Sequence, residues 1–187
     1  MATELEAKMK VDDLDAVRRR LAECGAKRTG SALETNMFFD TPERTLVSAD
    51  KGLRLRRKRD DQTGKEKFII TVKGPQQQGD LKNREEAEAG VQDGDDATAV
   101  LAALGYYPTL SFQKKRESWE LDGCKIELDE IPILGRFVEI EGPDDRTVIR
   151  VREKLQLSDR PLIKTGYITM LARHLKETHD DRREVTF

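Results

Sequence analysis

Strict two-residue alternation between ionic and apolar side chains runs through most extended-looking segments of this chain, and it restricts the fold more than any other feature. A β-strand sends successive side chains to opposite faces, so a period of two marks a strand with one polar and one buried face. The positions on one face are Glu4, Glu6 and Lys8; Arg54 and Arg56; Thr71 and Lys73; Arg84, Glu86 and Glu88; Lys114, Arg116 and Ser118; Glu127 and Asp129; and Glu139 and Glu141. The opposite faces carry Leu5, Ala7 and Met9; Leu53 and Leu55; Ile70 and Val72; Ala87 and Ala89; Ile126 and Leu128; and Val138 and Ile140.

Between these strands lie helix and turn signals. Asp12 or Asp13 opens a helix with Leu14, Val17 and Leu21 on one face, ending at Gly25. A strand around Glu34–Phe39 runs into a turn at Asp40-Thr41-Pro42-Glu43. The segments Gly52–Arg56 and Lys67–Lys73 form a hairpin whose polar tip contains Gly64 and into which Arg57–Arg59 lead; Gly74–Asp80 is a loop. A second helix has Ala99, Val100, Ala103 and Leu104 as its expected apolar stripe and Gly105 at its end. Strands follow over Leu110–Leu121, Cys124–Ile131 and Phe137–Glu141. Asp144 or Asp145 then opens a helix with Val148, Val151 and Leu155, and after Pro161 another carries Ile168, Leu171 and Leu175. The order is β-α-β-β-β-β-α-β-β-β-α-α. With no linker or repeat in view, it reads as one α+β domain over residues 1–177, with a charged tail, 178–187, expected to fray.

Charge composition sharpens the question. The 187 residues hold 34 Lys+Arg and 36 Asp+Glu, so 37% are charged while the net is only −2; a soluble domain averages about 25% charged. Disordered chains combine low hydrophobicity with high net charge, so near-neutrality and ordered alternation predict a folded chain. A uniformly cationic surface for nucleic acid is excluded by the same balance. No window approaches the roughly 18 consecutive apolar residues of a membrane span. The first residues lack a secretory signal's basic-then-apolar layout. Cys24 and Cys124, with only His174 and His179 besides, are too few for a disulfide framework or a zinc site; both thiols and Trp119 read as packing residues. A cytoplasmic protein with reduced thiols is expected.

Two arrangements satisfy the alternation. The ionic faces can point to solvent, where each salt bridge contributes little. Alternatively, eight antiparallel strands close into a barrel with helices packed outside on the apolar face. The lumen then holds the cations Lys8, Arg54, Arg56, Lys73, Arg84, Lys114 and Arg116 together with eight carboxylates. Burying these dry would be prohibitive, so such a lumen is hydrated or takes a charged ligand. The sorting of Arg/Lys and Glu/Asp into separate strand blocks favours the closed form. Arg and Lys clusters bind phosphate chains, and carboxylate clusters bind Mg²⁺ or Mn²⁺, so both in one lumen describe metal-assisted phosphoryl or nucleotidyl transfer.

Glu4-x-Glu6-x-Lys8 resembles the ExExK signature of the CYTH superfamily, which contains class IV adenylyl cyclases, thiamine triphosphatase and bacterial inorganic triphosphatases. Further motifs follow in the family's order: Phe39-Asp40-Thr41-Pro42, Leu53-Arg54-Leu55-Arg56, Val72-Lys73-Gly74-Pro75, Arg84-x-Glu86-x-Glu88, Lys114-x-Arg116, Leu128-Asp129, Leu134-Gly135-x-Phe137-x-Glu139-x-Glu141 and Gly166-Tyr167. The resemblance implies a triphosphate tunnel inside an eight-stranded antiparallel barrel. It implies metal carboxylates at Glu4, Glu6, Glu139 and Glu141 with Asp129 nearby, and a phosphate clamp of Lys8, Arg54, Arg56, Lys73, Lys114 and Arg116, with Arg84 a further member. Lys8, Glu4 and Glu6 are the candidate catalytic residues; Lys164 or Tyr167 contributes from the last helix, or Tyr167 packs at the barrel mouth. Leu101-Ala102-Ala103-Leu104-Gly105-Tyr106 and Leu134–Glu141 are similar to the class IV cyclase branch, which implies ATP as substrate; a triphosphatase and a non-catalytic polyphosphate-binding module are the alternatives. The expected cofactor is Mg²⁺ or Mn²⁺. The expected partner is ATP or another triphosphate, with neither nucleic acid nor membrane, and a homodimer through incompletely covered outer strands is compatible with the pattern.

Overall fold

A computed structural model describes residues 2–187, with burial from residue 4 onward; Met1 lies outside the described residues. The chain runs β1 (Ala2–Val11), α1 (Leu14–Glu23), β2 (Lys27–Asp40), α2 (Thr45–Ser48), β3 (Gly52–Asp60), β4 (Glu66–Lys73) and β5 (Lys82–Val91). It continues as α3 (Gly94–Ala103), β6 (Tyr107–Leu121), β7 (Cys124–Ile131), β8 (Gly135–Glu141), α4 (Asp145–Lys154), α5 (Tyr167–Glu177) and β9 (Glu184–Val185). The strands lie in the order β2-β3-β4-β5-β1-β8-β7-β6, and a β2–β6 pairing closes the circle. Every pairing in the ring is antiparallel, as the alternation predicts. Closure leaves no free edge to the ring.

Local signals act where the sequence places them. Asp13 caps α1 by accepting from the Asp15 amide, and Asp144 caps α4 by accepting from the Thr147 amide. Gly25 and Gly105 follow the C-caps of α1 and α3 at φ 74° and 87°, a left-handed conformation in which glycine carries no Cβ penalty. Leu14, Val17 and Leu21 of α1 and Val148 and Val151 of α4 are buried against Ala7, Met9, Ile126, Leu128, Val138 and Ile140, the outward face of β1, β7 and β8. Removing a fully buried side chain from such a layer, as in Leu21→Ala, typically costs about 2–5 kcal/mol.

Three expectations change and one is extended. The turn expected at Asp40–Glu43 forms, the Arg44 amide donating to the Thr41 carbonyl at 2.9 Å, and the short helix α2 follows it. The Asp40 carboxylate accepts from the amides of Thr41, Leu46 and Val47, and so folds the segment back on itself. The apolar stripe of α3 is Ala97 and Leu101, packed on Phe39, Leu53 and Leu55, while Ala99, Val100, Ala103 and Leu104 are all exposed. This helix is apolar around most of its circumference, so periodicity could not select its packed face. The outer face of β4 and β5 is only partly roofed: Phe68, Ile70 and Val91 pack on the cluster under α3, but Val72 is 43% exposed, and Ala87 and Ala89 are exposed as well. Finally, Glu184–Val185 does not fray. It pairs parallel with Ser111–Phe112 of β6, and Val185 is buried beside Phe112, Tyr167 and Leu171. That cluster, with Ile131, Phe137 and Leu175, closes one end of the barrel beneath α5. Among the described residues no helix is long and apolar enough to cross a membrane.

Candidate functional site

The barrel encloses a cavity of about 760 Å³. The inward parity read from the sequence brings Glu4, Glu6, Lys8, Arg54, Arg56, Lys73, Arg84, Lys114, Arg116, Glu139 and Glu141 to its wall. In the closed order β2, β3, β4, β5, β1, the strand β1 stands four places from β2, so the ExExK strand faces β2 across the lumen.

Register sets the electrostatics. Lys73 stands opposite Glu86, Arg84 opposite Glu4, Lys82 opposite Glu6, Lys8 opposite Glu139, Arg116 opposite Asp129 and Lys114 opposite Glu34. Opposite charges across a strand pair stabilise a sheet, and at this burial an uncompensated charge would be strongly destabilising. The expected separation into cationic and anionic strand blocks therefore holds for β3, β4, β6 and β8 along the cavity, while β1, β5 and β7 mix both signs. Lys73 Nζ lies 3.0 Å from Glu4 Oε2 and also bonds Glu86. Lys82 Nζ donates to both oxygens of Glu6 at 3.1 and 3.2 Å. Lys8 Nζ donates to the Thr165 carbonyl at 3.0 Å, lies 3.6 Å from Glu6 and 3.5 Å from Glu139, and sits 4.3 Å over the Tyr167 ring.

Two regions keep an excess of one sign. Around β6, β2 and β3 the surplus is positive. Burial, followed by the neighbouring Arg56, lowers Arg54 to about 10, and burial with Arg116 lowers Lys114 to about 8. Around Glu141 on β8 the surplus is negative, for it stands opposite Glu6; Glu139, although opposite Glu127 and deeply buried, is held well below the usual carboxylate range by Arg116, Lys8, Lys114 and Lys82. Burial pushes Glu141 up, with Glu4, Glu6 and Glu127 adding to the rise against the pull of Lys125. Burial also raises Glu86, to about 7, followed by its hydrogen bond with Glu4. The all-oxygen donor set and the paired like charges suit a hard divalent cation. Among the described residues no three acidic, histidine or cysteine side chains meet around one point; lysines stand between the carboxylates.

Asp129 departs from its expected place. It is fully buried behind the cavity wall, where Arg116 Nε and Nη2 engage its two oxygens at 2.6 and 2.5 Å. Lys114 Nζ at 3.3 Å and Tyr167 Oη at 3.1 Å add to this. With both oxygens engaged, Asp129 orients Arg116 and does not present a ligand to the lumen. Arg84 reaches the rim, not the centre, and pairs with Asp50 at 2.7 Å. Tyr167 is buried at the closed end, edge-on to Phe137 and Phe112, and Lys164 turns to the Gly79 carbonyl. Sequence reasoning missed Lys82, Glu34, Asn36 and Lys125. Lys82 has the parity of Arg84 and Glu86, and only a late placement of the strand's start hid it. Glu34 and Asn36 share a face with Phe38, so β2 carried no clean ionic alternation.

A closed antiparallel barrel with a charged lumen, β1 contributing Glu-x-Glu-x-Lys, defines the class. Residues 2–167 match the CYTH domain, and the chain belongs to that family. It is 29% identical over 176 residues to a protein of Methanocaldococcus jannaschii named for a suspected adenylate cyclase activity, covering 89% of this chain and 97% of that one. It is 30% identical over 160 residues to adenylate cyclase CyaB of Aeromonas hydrophila, covering 83% and 77%. Among solved structures, protein PH1819 of Pyrococcus horikoshii superposes with a TM-score of 0.80 at 26% identity over 91% of this chain and 99% of that one. A Hippeastrum protein, described as an adenylyl cyclase candidate with dominant triphosphatase activity, shares the fold with a TM-score of 0.71 at 17% identity, covering 91% and 96%.

Proposed function

We propose that this protein is a metal-dependent enzyme acting on a triphosphate held in the barrel, and that it converts ATP to cyclic AMP and pyrophosphate. One observation carries the reading: positive surplus around β6, β2 and β3 and negative surplus around Glu141 at the end of β8 border the same cavity. A triphosphate neutralises the first and a divalent cation the second. The two relatives named for adenylate cyclase activity favour cyclisation over other chemistries of a triphosphate.

In this reading Arg54, Arg56, Lys73, Lys114 and Arg116 bind the phosphate chain, with Arg84 guiding it at the rim. Glu4, Glu6, Glu139 and Glu141 hold Mg²⁺ or Mn²⁺, which when bound withdraws charge from phosphoryl oxygens and acidifies a nearby hydroxyl. The ribose 3′-hydroxyl gives its proton to solvent as its oxygen bonds to the α-phosphorus, the bond from that phosphorus to the bridging oxygen breaks, and pyrophosphate leaves with the electron pair and its charge. Lys8, fixed by the Thr165 carbonyl and the Tyr167 ring, is placed to stabilise that charge. In the competing reading Lys8 positions a water for attack on a terminal phosphorus, and the product is orthophosphate. The triphosphatase activity described for the Hippeastrum protein is what recommends that alternative.

The test supplies purified protein and Mg²⁺ or Mn²⁺ with ATP and, separately, with tripolyphosphate. Cyclic AMP and pyrophosphate in equal amounts are the expected products from ATP. Orthophosphate from either compound, without cyclic AMP, replaces the cyclase with a hydrolase. Binding without turnover leaves a polyphosphate-binding module.

A further inference from the structure

Two buried nitrogen donors on adjacent strands of the cavity wall have no hydrogen-bond partner among the described residues: Asn36 Nδ2 on β2 and Arg54 Nε on β3. Both residues line the cavity, and Asn36 is only 1% exposed. Arg56 stands directly opposite Asn36, and Arg54 opposite Phe38, so Asn36 and Arg54 are diagonal neighbours on the inward face. An unsatisfied buried donor is costly, and native structures rarely leave one without a reason.

The orientation of the Asn36 amide follows from chemistry. Arg56 Nε lies 2.9 Å from Asn36 Oδ1, and a guanidinium can only donate. The amide atom facing Arg56 must therefore be the oxygen, and the NH₂ group must point away from it. Glu34, the nearest acidic side chain along β2, lies at ion-pair distance from Arg56 (3.3 Å) and Lys114 (3.5 Å), but its Oε2 likewise accepts no hydrogen bond among the described residues, so the amide hydrogens are not taken there. Arg54 uses Nη2 on Thr71 and Glu88, which leaves its Nε idle.

The geometry points to Asn36 as a direct, uncharged ligand of the phosphate chain. Its Nδ2 and Arg54 Nε together donate to phosphoryl oxygens, while its Oδ1 holds Arg56 in register. The inference rests on the triphosphate reading and adds to it a residue that charge patterning cannot find. An amide donor also gives what a further lysine would not. It supplies a fixed direction without deepening the positive surplus that, together with the larger effect of burial, already lowers Arg54 and Lys114.

The side-chain amide of Asn36 can be followed by NMR, assigned by the signal lost in Asn36→Asp, while methylene-bridged tripolyphosphate is added with Mg²⁺. A large shift of both Asn36 NH₂ signals on saturation is expected. In parallel, Asn36→Ala should weaken binding of the same compound about tenfold. That loss should persist in an Arg56→Met background, because a direct contact does not act through Arg56. Saturable binding with unmoved Asn36 signals, or a loss that vanishes in the Arg56→Met background, overturns the inference and leaves the proposed function standing. Absence of any binding by the wild-type protein overturns both.

Discussion

Lys114 shows how far burial has moved single groups in this lumen. Its ammonium lies between Glu34 and Asp129, yet burial and then Arg116 lower its pKa from 10.5 to about 8. Between those values the unfolded chain binds the proton and the folded chain does not. The contribution of Lys114 to stability therefore rises with pH through that window. Ligand binding moves the other way, because the deprotonated amine no longer attracts phosphate. Affinity for tripolyphosphate, measured calorimetrically with Mg²⁺, should fall as pH passes from 7 to 9, and Lys114→Arg should flatten that dependence because a guanidinium stays charged. An unchanged profile in the arginine variant would assign the titration to another group. Asp129 makes a related point: a conspicuous acid in the right parity became the support for Arg116, since a bidentate pair uses both its oxygens.

At the scale of elements, the most instructive segment is the last one. Glu184–Val185 adds a short parallel strand to β6 beyond the end of its pairing with β7, and Phe187 lies against Lys115. Val185 completes the apolar cluster under α5, the helix whose first residue, Tyr167, touches Lys8 and hydrogen-bonds Asp129. Val185→Asp would bury an unpaired carboxylate there and should destabilise the protein by on the order of 3 kcal/mol. For a chain of this size that corresponds to a drop in Tm of about 6–12 °C, read by calorimetry. A melting curve identical to the wild type would mean that the tail does not dock. Charge density in this segment predicted fraying because two apolar residues, Val185 and Phe187, after seven consecutive polar ones carry no periodic signal. The burial of Val185 depends on a groove built by residues seventy positions earlier in the chain.

For the molecule as a whole, closure of the barrel is what turns surface-like strands into the wall of a charged chamber. Each ionic strand alone resembles a solvated face; joined through the β2–β6 seam, the same faces surround a cavity of about 760 Å³. A ligand that binds only the closed state stabilises it by mass action, about 2.7 kcal/mol at a hundred times Kd. Methylene-bridged tripolyphosphate with Mg²⁺ at that concentration should therefore raise Tm by roughly 5–10 °C. Arg54→Ala, which removes one proposed phosphate contact, should need more ligand for the same rise. No shift in the wild type at millimolar concentrations would remove the lumen as a polyphosphate site.

The division between sequence and tertiary structure follows the range of the forces involved. Period-two alternation is local, so strand faces, most of the inward set from Glu4 to Glu141, and the helix caps to within one residue of Asp13 and Asp144 were legible without coordinates. Which charges meet is not local. Register paired Lys82 with Glu6 and Arg116 with Asp129, placed like charges together along β8, and set the β1 wall across from β2. The outer packing of α3 was equally undecided by its sequence, since a helix apolar on several sides accepts whichever face the sheet covers. Asn36 is the clearest case. Nothing in an Asn between Thr35 and Met37 marks it as special, and only a closed barrel, by excluding water from its amide and giving its oxygen to Arg56, leaves that donor waiting for a ligand.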